Sequence, residues 1–491
     1  MNHMKFMHLL VLMFAFSPIH AGDVFTTEDI YSLKDITLSD VSQDGNGIAF
    51  ITSQAEKKYD GFKSTLYFLD AQKGKKVKLL ESHGPKGMSF SAVKFSSNSK
   101  SIFFLSSGMK ASGKESNQIW SLTLSNRVKR KLTNFDGDIS DYDVSDDGKT
   151  IAFIGVKNSN KKAANKTPPP IVIDRYQFKR DYEGFLGPNR DHLFILKTKS
   201  RQIEQITSGQ RDHYYPSISP NGTSVAFMAK DGDFDRHNNW GIFIKDLKTE
   251  KDPQRLTSID SEDFSPANAS RPQWSPDGKK IAFIHGGDHA MLWYALQEVA
   301  IIDIENGKTD FITKEFDRNT SLPQWSKDGH NIYFILEDDR KSQLIKYSLL
   351  DGSYKVVTPE NMYLSGYSKS YHVIDDQVIF QSSTSNIPSE IYLSKEGQIN
   401  AITSVNERFI KSKLVGSTEL ISFESFDGLT INGMMIKPHD FDPNKKYPLM
   451  VRIHGGPVSQ YGSYFDFDWQ LFASNNYIVI VTNPRGSSGR G

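Results

Sequence analysis

The sequence predicts a mainly β chain, a seven-bladed β-propeller followed by the opening elements of an α/β domain. Three observations carry this. A turn-and-strand unit recurs seven times, its copies are spaced almost evenly, and after about residue 412 the repeat gives way to strand, glycine loop, helix and strand.

The recurring unit is a turn built on Asp-Gly or a substitute, followed by a short apolar strand. It reads DVSQDGNGIAFIT from Asp40, VKFSSNSKSIFFLS from Val93, DVSDDGKTIAFIG from Asp143 and SISPNGTSVAFMA from Ser217. It returns as QWSPDGKKIAFIH from Gln273, QWSKDGHNIYFIL from Gln324 and, worn, as YHVIDDQVIFQSS from Tyr371. Asp-Gly and Asn-Gly tolerate the positive φ angles of a tight hairpin turn, and the Ile-Ala-Phe-Ile type run suits a strand buried on both faces. After each copy come another strand, a polar turn and a strand closing on threonine, as at Thr133, Thr207, Thr257, Thr313 and Thr403. Two hairpins per unit make about four strands, one propeller blade. The turns at Gly45, Asn98, Gly148, Gly222, Gly278, Gly329 and Asp376 are about 53, 50, 74, 56, 51 and 47 residues apart, in the range of propeller repeats. The long interval holds an insertion around Lys157 to Arg190.

From Ser417 the pattern changes. ISFESFDGLTINGMMIKP reads as two strands joined at Asp427-Gly428. YPLMVRIHGGP runs an apolar strand into a Gly-Gly-Pro loop, a helix is predicted over Phe467 to Ser474, and YIVIVTNPRG gives a second buried strand. Apolar strand, helix, apolar strand implies a parallel pair with a right-handed crossover. A glycine loop after an early strand can present backbone N–H groups to the oxyanion of an acyl-transfer reaction, though it also serves as a plain strand-to-helix turn.

The N-terminus, MNHMKFMHLLVLMFAFSPIHAGD, has a short basic segment, an apolar run from Leu9 to Phe16 and small residues up to Ala21. That is the layout of a secretory signal peptide, and the run is about half the length a membrane span needs. The expected location is periplasmic or secreted, with no membrane anchor after cleavage. The 59 Lys and Arg nearly cancel the 58 Asp and Glu, so the cationic excess of a sequence-independent nucleic-acid binder is missing. There is no cysteine, so stability must come from packing. No cofactor or metal is expected. Asp231-Gly-Asp233-Phe-Asp235 fails as a calcium loop because Arg236 and Ile242 stand where glycine and glutamate are needed, and the histidines lack zinc-ligand spacing. Thr167 to Pro170 reads as a stiff extended lead into the insertion.

The chain resembles the prolyl oligopeptidase family of serine peptidases, in its acylaminoacyl-peptidase and dipeptidyl-aminopeptidase-like branch. The likeness begins with FTTEDIYSLKDITLSDVSQDGNGIAF (Phe25 to Phe50) and IVIDRYQFKRDYEGF (Ile171 to Phe185). It continues with SFDGLTINGMMIKP, YPLMVRIHGGP and NPRGSSGRG. It implies a signal peptide at 1–21, a lead-in at 22–36, the propeller at 37–412 and the incomplete N-terminal part of an α/β-hydrolase domain at 413–491. The implied function is hydrolysis of short peptides, with the propeller restricting access to a Ser, Asp, His set. Gly455 and Gly456 match the family's oxyanion loop. His454 stands just before it, as an oxyanion donor or as structure. Asp181 and Glu183 lie in the insertion, where dipeptidyl-peptidase relatives hold a substrate amine with acidic residues; a solvated loop is the competing reading. Arg485 binds a carboxylate or, as we favour, braces its loop. No G-x-S-x-G occurs in the 491 residues, and Ser487 and Ser488 lack the elbow context of a nucleophile. The family pattern therefore puts nucleophile, acid and base beyond Gly491, and this portion alone is expected to be inactive. A propeller acting as a binding module and an esterase on the same fold are the alternatives.

Overall fold

The computed structural model describes residues 22–490 except 85–89, 108–115, 158–169, 174, 182–183, 231–234, 237–239, 258–270, 289–290, 292–293, 367–369 and 457. The expected signal segment, Glu183, the Asp231 to Asp233 run and most of Thr167 to Pro170 lie outside the described residues.

Seven four-stranded sheets follow one another along the chain, each antiparallel. The first comprises Lys34–Val41, Gly47–Glu56, Gly61–Asp70 and Lys75–Ser82, so it begins inside the expected lead-in. The seventh comprises Tyr371–Ile374, Gln377–Ser382, Glu390–Lys395 and Gln398–Ala401. The reason the second strand of each unit is apolar at every position is now visible. Alternate side chains serve different neighbours. In the fourth sheet Val225 and Phe227 pack with Ile154 and Ile195 of the third, while Ala226 and Met228 pack with Ile281 and Phe283 of the fifth. Each buried Ile or Phe contributes about 2 kcal/mol by area. Ile36, Leu38, Ile48 and Phe50 of the first sheet share a cluster with Ile379 and Ile391 of the seventh, which closes the series on itself.

In the seventh sheet only Asp375 and Asp376 stand between the paired Ile374 and Gln377; in the first six the turns differ from the expected tight hairpins. The aspartate keeps a negative φ and acts as an acceptor, and only the glycine is left-handed: Gly45, Gly148, Gly222, Gly278 and Gly329 have φ between +66° and +73°. A serine three residues before the glycine closes the loop. Its hydroxyl donates to Asp147 Oδ1 at 2.8 Å in the third sheet, and its carbonyl accepts from the Gly148 N–H at 2.8 Å. In the second sheet the left-handed residue is Ser99 (φ +55°), one beyond Asn98; in the seventh it is Asp375 (φ +49°), one before Asp376. The closing threonines have an equally local cause. Each hydroxyl accepts a backbone N–H of the third strand where the short fourth strand no longer reaches it: Ile119 to Thr133 at 3.0 Å, Leu193 to Thr207 at 2.9 Å, Val299 to Thr313 at 2.8 Å.

The segment from Gly22 does not lead only into the first sheet. Asp23 pairs with Lys413 in a parallel bridge, and the fully buried Phe25 ring sits edge-on to Phe409 and Phe467, both at 5.9 Å. Lys413 and Asp29 pair at 2.7 Å with little exposure. The N-terminal segment thus ties the seven sheets to the C-terminal elements.

Those elements form one four-stranded sheet in the order Ser417–Glu424, Thr430–Lys437, Ile478–Asn483, Leu449–Arg452. The first three strands are antiparallel and the last two parallel, joined through the helix Phe467–Ser474, which forms where the sequence predicts it. Asp466 caps that helix by accepting the Trp469 N–H at 3.0 Å. Trp469 and Ala473 cover Met434, Ile436, Val479 and Val481 on one face. Leu449, Val451 and Ile453, pointing to the other face from the edge strand, are exposed.

Candidate functional site

The glycine loop leaves the carboxyl end of the parallel strand Leu449–Arg452. Gly455 and Gly456 are both exposed. A Cβ on Gly456 would lie 2.9 Å from the Val458 N, so the turn itself demands glycine there. A Cβ on Gly455 would meet nothing within 4 Å. Among the described residues no neighbour requires that glycine, and the open space is what a ligand approaching the backbone needs.

His454 is fixed at both ring nitrogens. Nδ1 lies 2.7 Å from the Gly455 carbonyl, which can only accept, so Nδ1 carries a proton. Nε2 lies 2.8 Å from Ser487 Oγ, and that hydroxyl also reaches the Pro484 carbonyl at 2.7 Å. This link between the 454–456 and 484–488 loops was not legible in the sequence. It has the spacing of a base and a hydroxyl nucleophile. Yet the ring is oriented by a carbonyl instead of a carboxylate, and Ser487 sits in a loop with no strand-to-helix elbow. We read the contact as a brace. Arg485 pairs with Asp427 at 2.5 Å and holds that carboxyl below the usual range, which fits bracing of its loop.

Asp181 is exposed, in the turn between the short strands Lys179–Arg180 and Gly184–Phe185. The insertion joins the second and third strands of the third sheet. In the sixth and seventh sheets the same connection touches the C-terminal elements: Asp339 donates its N–H to Gly489 in the loop after the last strand, and the Ser385 carbonyl accepts from Gln470 of the helix. Equivalent connections of consecutive up-and-down sheets share a side, so Asp181 lies on the side that carries the glycine loop. The insertion is pinned to the fourth sheet by Arg175 and Asp235, 2.6 Å apart and mostly buried. Among the described residues no hydrogen bond or ion pair links Asp181 to Gly455.

Where the first strands of the sheets converge there is a cavity of about 500 Å³, lined among others by Asp40, Lys94, Asp143, Arg271, Gln324 and Tyr371. Arg271 lies 2.7 Å from both Asp141 oxygens, and Lys94 pairs with Asp143. Burial opposes ionisation of Asp143, but Lys94 and Arg271 outweigh it and hold the carboxyl low. Among the described residues no group of three or more His, Cys, Asp or Glu could hold a metal ion, and no helix is long and apolar enough to cross a membrane.

The family description "Dipeptidyl peptidase IV (DPP IV) N-terminal region" matches residues 236–371. The peptidase YuxL of Bacillus subtilis is 25% identical, with 95% of this chain and 72% of YuxL aligned. Dipeptidyl-peptidase 5 of Porphyromonas gingivalis is 26% identical over 56% of this chain and 40% of its own length. The acylaminoacyl peptidase of Pyrococcus horikoshii superposes with a TM-score of 0.75 at 20% identity, over 94% of this chain and 67% of its own. These likenesses to dipeptidyl and acylaminoacyl peptidases support assignment to the prolyl oligopeptidase family. Dipeptidyl and acylaminoacyl peptidases are thus among the proteins it is similar to, and the P. horikoshii likeness takes in all but 6% of this chain. The β-propeller domain of the Trilobed protease from Pyrococcus furiosus covers 76% of this chain at a TM-score of 0.53, so the ring of sheets is propeller-like.

Proposed function

We propose that the chain is the N-terminal portion of an exported serine peptidase of the prolyl oligopeptidase family that hydrolyses short peptides. In this reading residues 1–21 are a signal peptide, 22–36 a lead-in and 37–412 a seven-bladed propeller that limits access. Residues 413–491 open the hydrolase domain. Gly455 and Gly456 supply N–H groups to the oxyanion, with His454 orienting their loop, and Ser, Asp and His are supplied beyond Gly491. Asp181, on the rim, attracts a substrate ammonium by charge, and the sequence assigns Glu183 the same role. The observation that carries the reading is the glycine loop at the carboxyl end of a parallel, helix-crossed strand pair, where α/β sheets bind ligands. The uncovered Leu449, Val451 and Ile453 on an open edge strand support it, since such an edge calls for further strands and a covering helix.

The test compares the 491-residue chain with a polypeptide read past the Gly491 codon into the downstream frame, using dipeptidyl, acyl-aminoacyl and simple ester substrates. Hydrolysis of the peptide substrates by the longer polypeptide alone, with covalent labelling by a fluorophosphonate, is the expected result. A stop codon there, or cleavage of esters only, would overturn it.

A further inference from the structure

The second and third strands of the sixth sheet, Asn331–Asp338 and Lys341–Ser348, are joined by just Asp339 (φ +37°) and Arg340 (φ +68°). A two-residue turn with both φ positive is one that Asn-Gly or Asp-Gly makes most cheaply. An arginine in the second place carries backbone strain that a glycine would not, so its side chain must be wanted.

What it grips is the C-terminal sheet and both loops of the candidate site. The Asp339 N–H donates to the Gly489 carbonyl at 2.9 Å, and the Arg340 N–H donates to Gln460 Oε1 at 2.9 Å. The Ser463 N–H donates back to the Arg340 carbonyl at 3.0 Å. The guanidinium Nη1 donates to the Gly433 and Ile421 carbonyls at 3.0 and 3.2 Å, and Nη2 to Asp339 Oδ2 at 2.9 Å. That same oxygen accepts from Asn432 at 2.9 Å. The fit at Gly489 is close: a Cβ there would lie 2.5 Å from Gln460 Oε1 and 2.9 Å from the Asp339 N. Gln460 and Ser463 belong to the stretch that continues the glycine loop, and Gly489 to the stretch that presents Ser487 to His454. The two stretches also meet directly, Ser488 N–H to Ser459 carbonyl at 2.9 Å.

We propose that Asp339 and Arg340 are positioning residues, a clasp by which the sixth sheet sets the placement of the glycine loop and of His454. The inference rests on the reading of that loop as the oxyanion site, but its geometry is testable without turnover. Because one side chain reaches both strands of the Ser417–Glu424 and Thr430–Lys437 hairpin while its backbone holds the two loops, the propeller-like ring acts on the site directly and is more than a cover.

The test uses the 491-residue chain with Arg340→Gly and Asp339→Asn. Arg340→Gly makes an easier turn, so the sixth sheet itself should fold at least as well, while the side-chain grip is lost. Amide exchange in 454–464 and 484–490 should become about tenfold faster, with the first to fifth sheets unchanged. The ¹⁵N signature of His454 should move from an Nδ1–H tautomer toward the mixture of a free imidazole. Asp339→Asn, which keeps an acceptor and suits the turn, should leave both readouts as they are. Exchange in the two loops equal to the unsubstituted chain, or faster exchange spread evenly over all sheets, would overturn the clasp. Loose loops in a polypeptide that hydrolyses nothing when read past Gly491 would uphold the clasp and sink the peptidase reading.

Discussion

Thr313 illustrates how a single side chain keeps the repeat in shape. Its hydroxyl, almost fully buried, satisfies the Val299 N–H that the short fourth strand leaves without a ladder partner. Thr313→Val preserves the volume and orphans that N–H, so it should cost about 1–3 kcal/mol by chemical denaturation. His213 sets an acid limit. It is buried against Phe227, its Nδ1 donates to the Asp191 carbonyl at 2.8 Å, and burial pushes it down to about 4. The unfolded chain takes up that proton near pH 6.5, so the stabilisation is present above 6.5 and lost as the pH falls toward 4. Between pH 7 and 5 this one group should remove about 2 kcal/mol, and His213→Phe should flatten that part of the profile of urea midpoints. The threonines were legible in the sequence as a recurring letter, and Thr358 fills the same place in the sixth sheet, accepting from Leu344 at 3.1 Å. Their role was not legible, because it depends on where the fourth strand stops.

The turns show what pattern alone does and does not carry. Asp-Gly or its substitute at about fifty-residue spacing located every sheet, but the second and seventh turns were placed at Asn98 and Asp376 where Ser99 and Asp375 carry the positive φ. Only a folded backbone distinguishes a two-residue hairpin turn from a longer loop closed by a serine. Gly148→Ala isolates the backbone term, since a Cβ there meets nothing within 4 Å and only the φ of +66° resists it. The expected loss is about 1 kcal/mol with the third sheet otherwise intact, read from thermal and urea unfolding. The C-terminal helix and its flanking strands were readable because two apolar strand runs bracket the helix in the order a parallel crossover unit requires. The His454 to Ser487 brace and the Arg340 clasp were not, since each joins residues far apart in sequence whose types, taken singly, suggest nothing.

Across the whole molecule the N-terminal segment matters out of proportion to its length. Phe25 is wholly buried between the start of the C-terminal elements and their helix, its N–H donates to Ser474 Oγ at 2.9 Å, and Asn475 donates to its carbonyl. Phe25→Ala should cost about 3 kcal/mol and loosen the junction first, so that trypsin cuts faster after Lys411 and Lys413 than anywhere in the seven sheets. The same tie, with the clasp from the sixth sheet, holds the glycine loop over the side where the longer inter-strand connections emerge. In the proposed function, ring, N-terminal segment and C-terminal sheet together place the backbone of Gly455 and Gly456. The most direct measurement is kcat for a dipeptidyl p-nitroanilide in the polypeptide read past Gly491, comparing Gly455→Pro and Gly455→Ala with the unsubstituted form. Loss of the N–H in the proline form should lower kcat about 100- to 1,000-fold with KM little changed, while the alanine form, which keeps the N–H but puts a methyl group where the substrate approaches the backbone, should lose less, about tenfold. An unchanged kcat for Gly455→Pro would contradict the assignment of this loop as the oxyanion site.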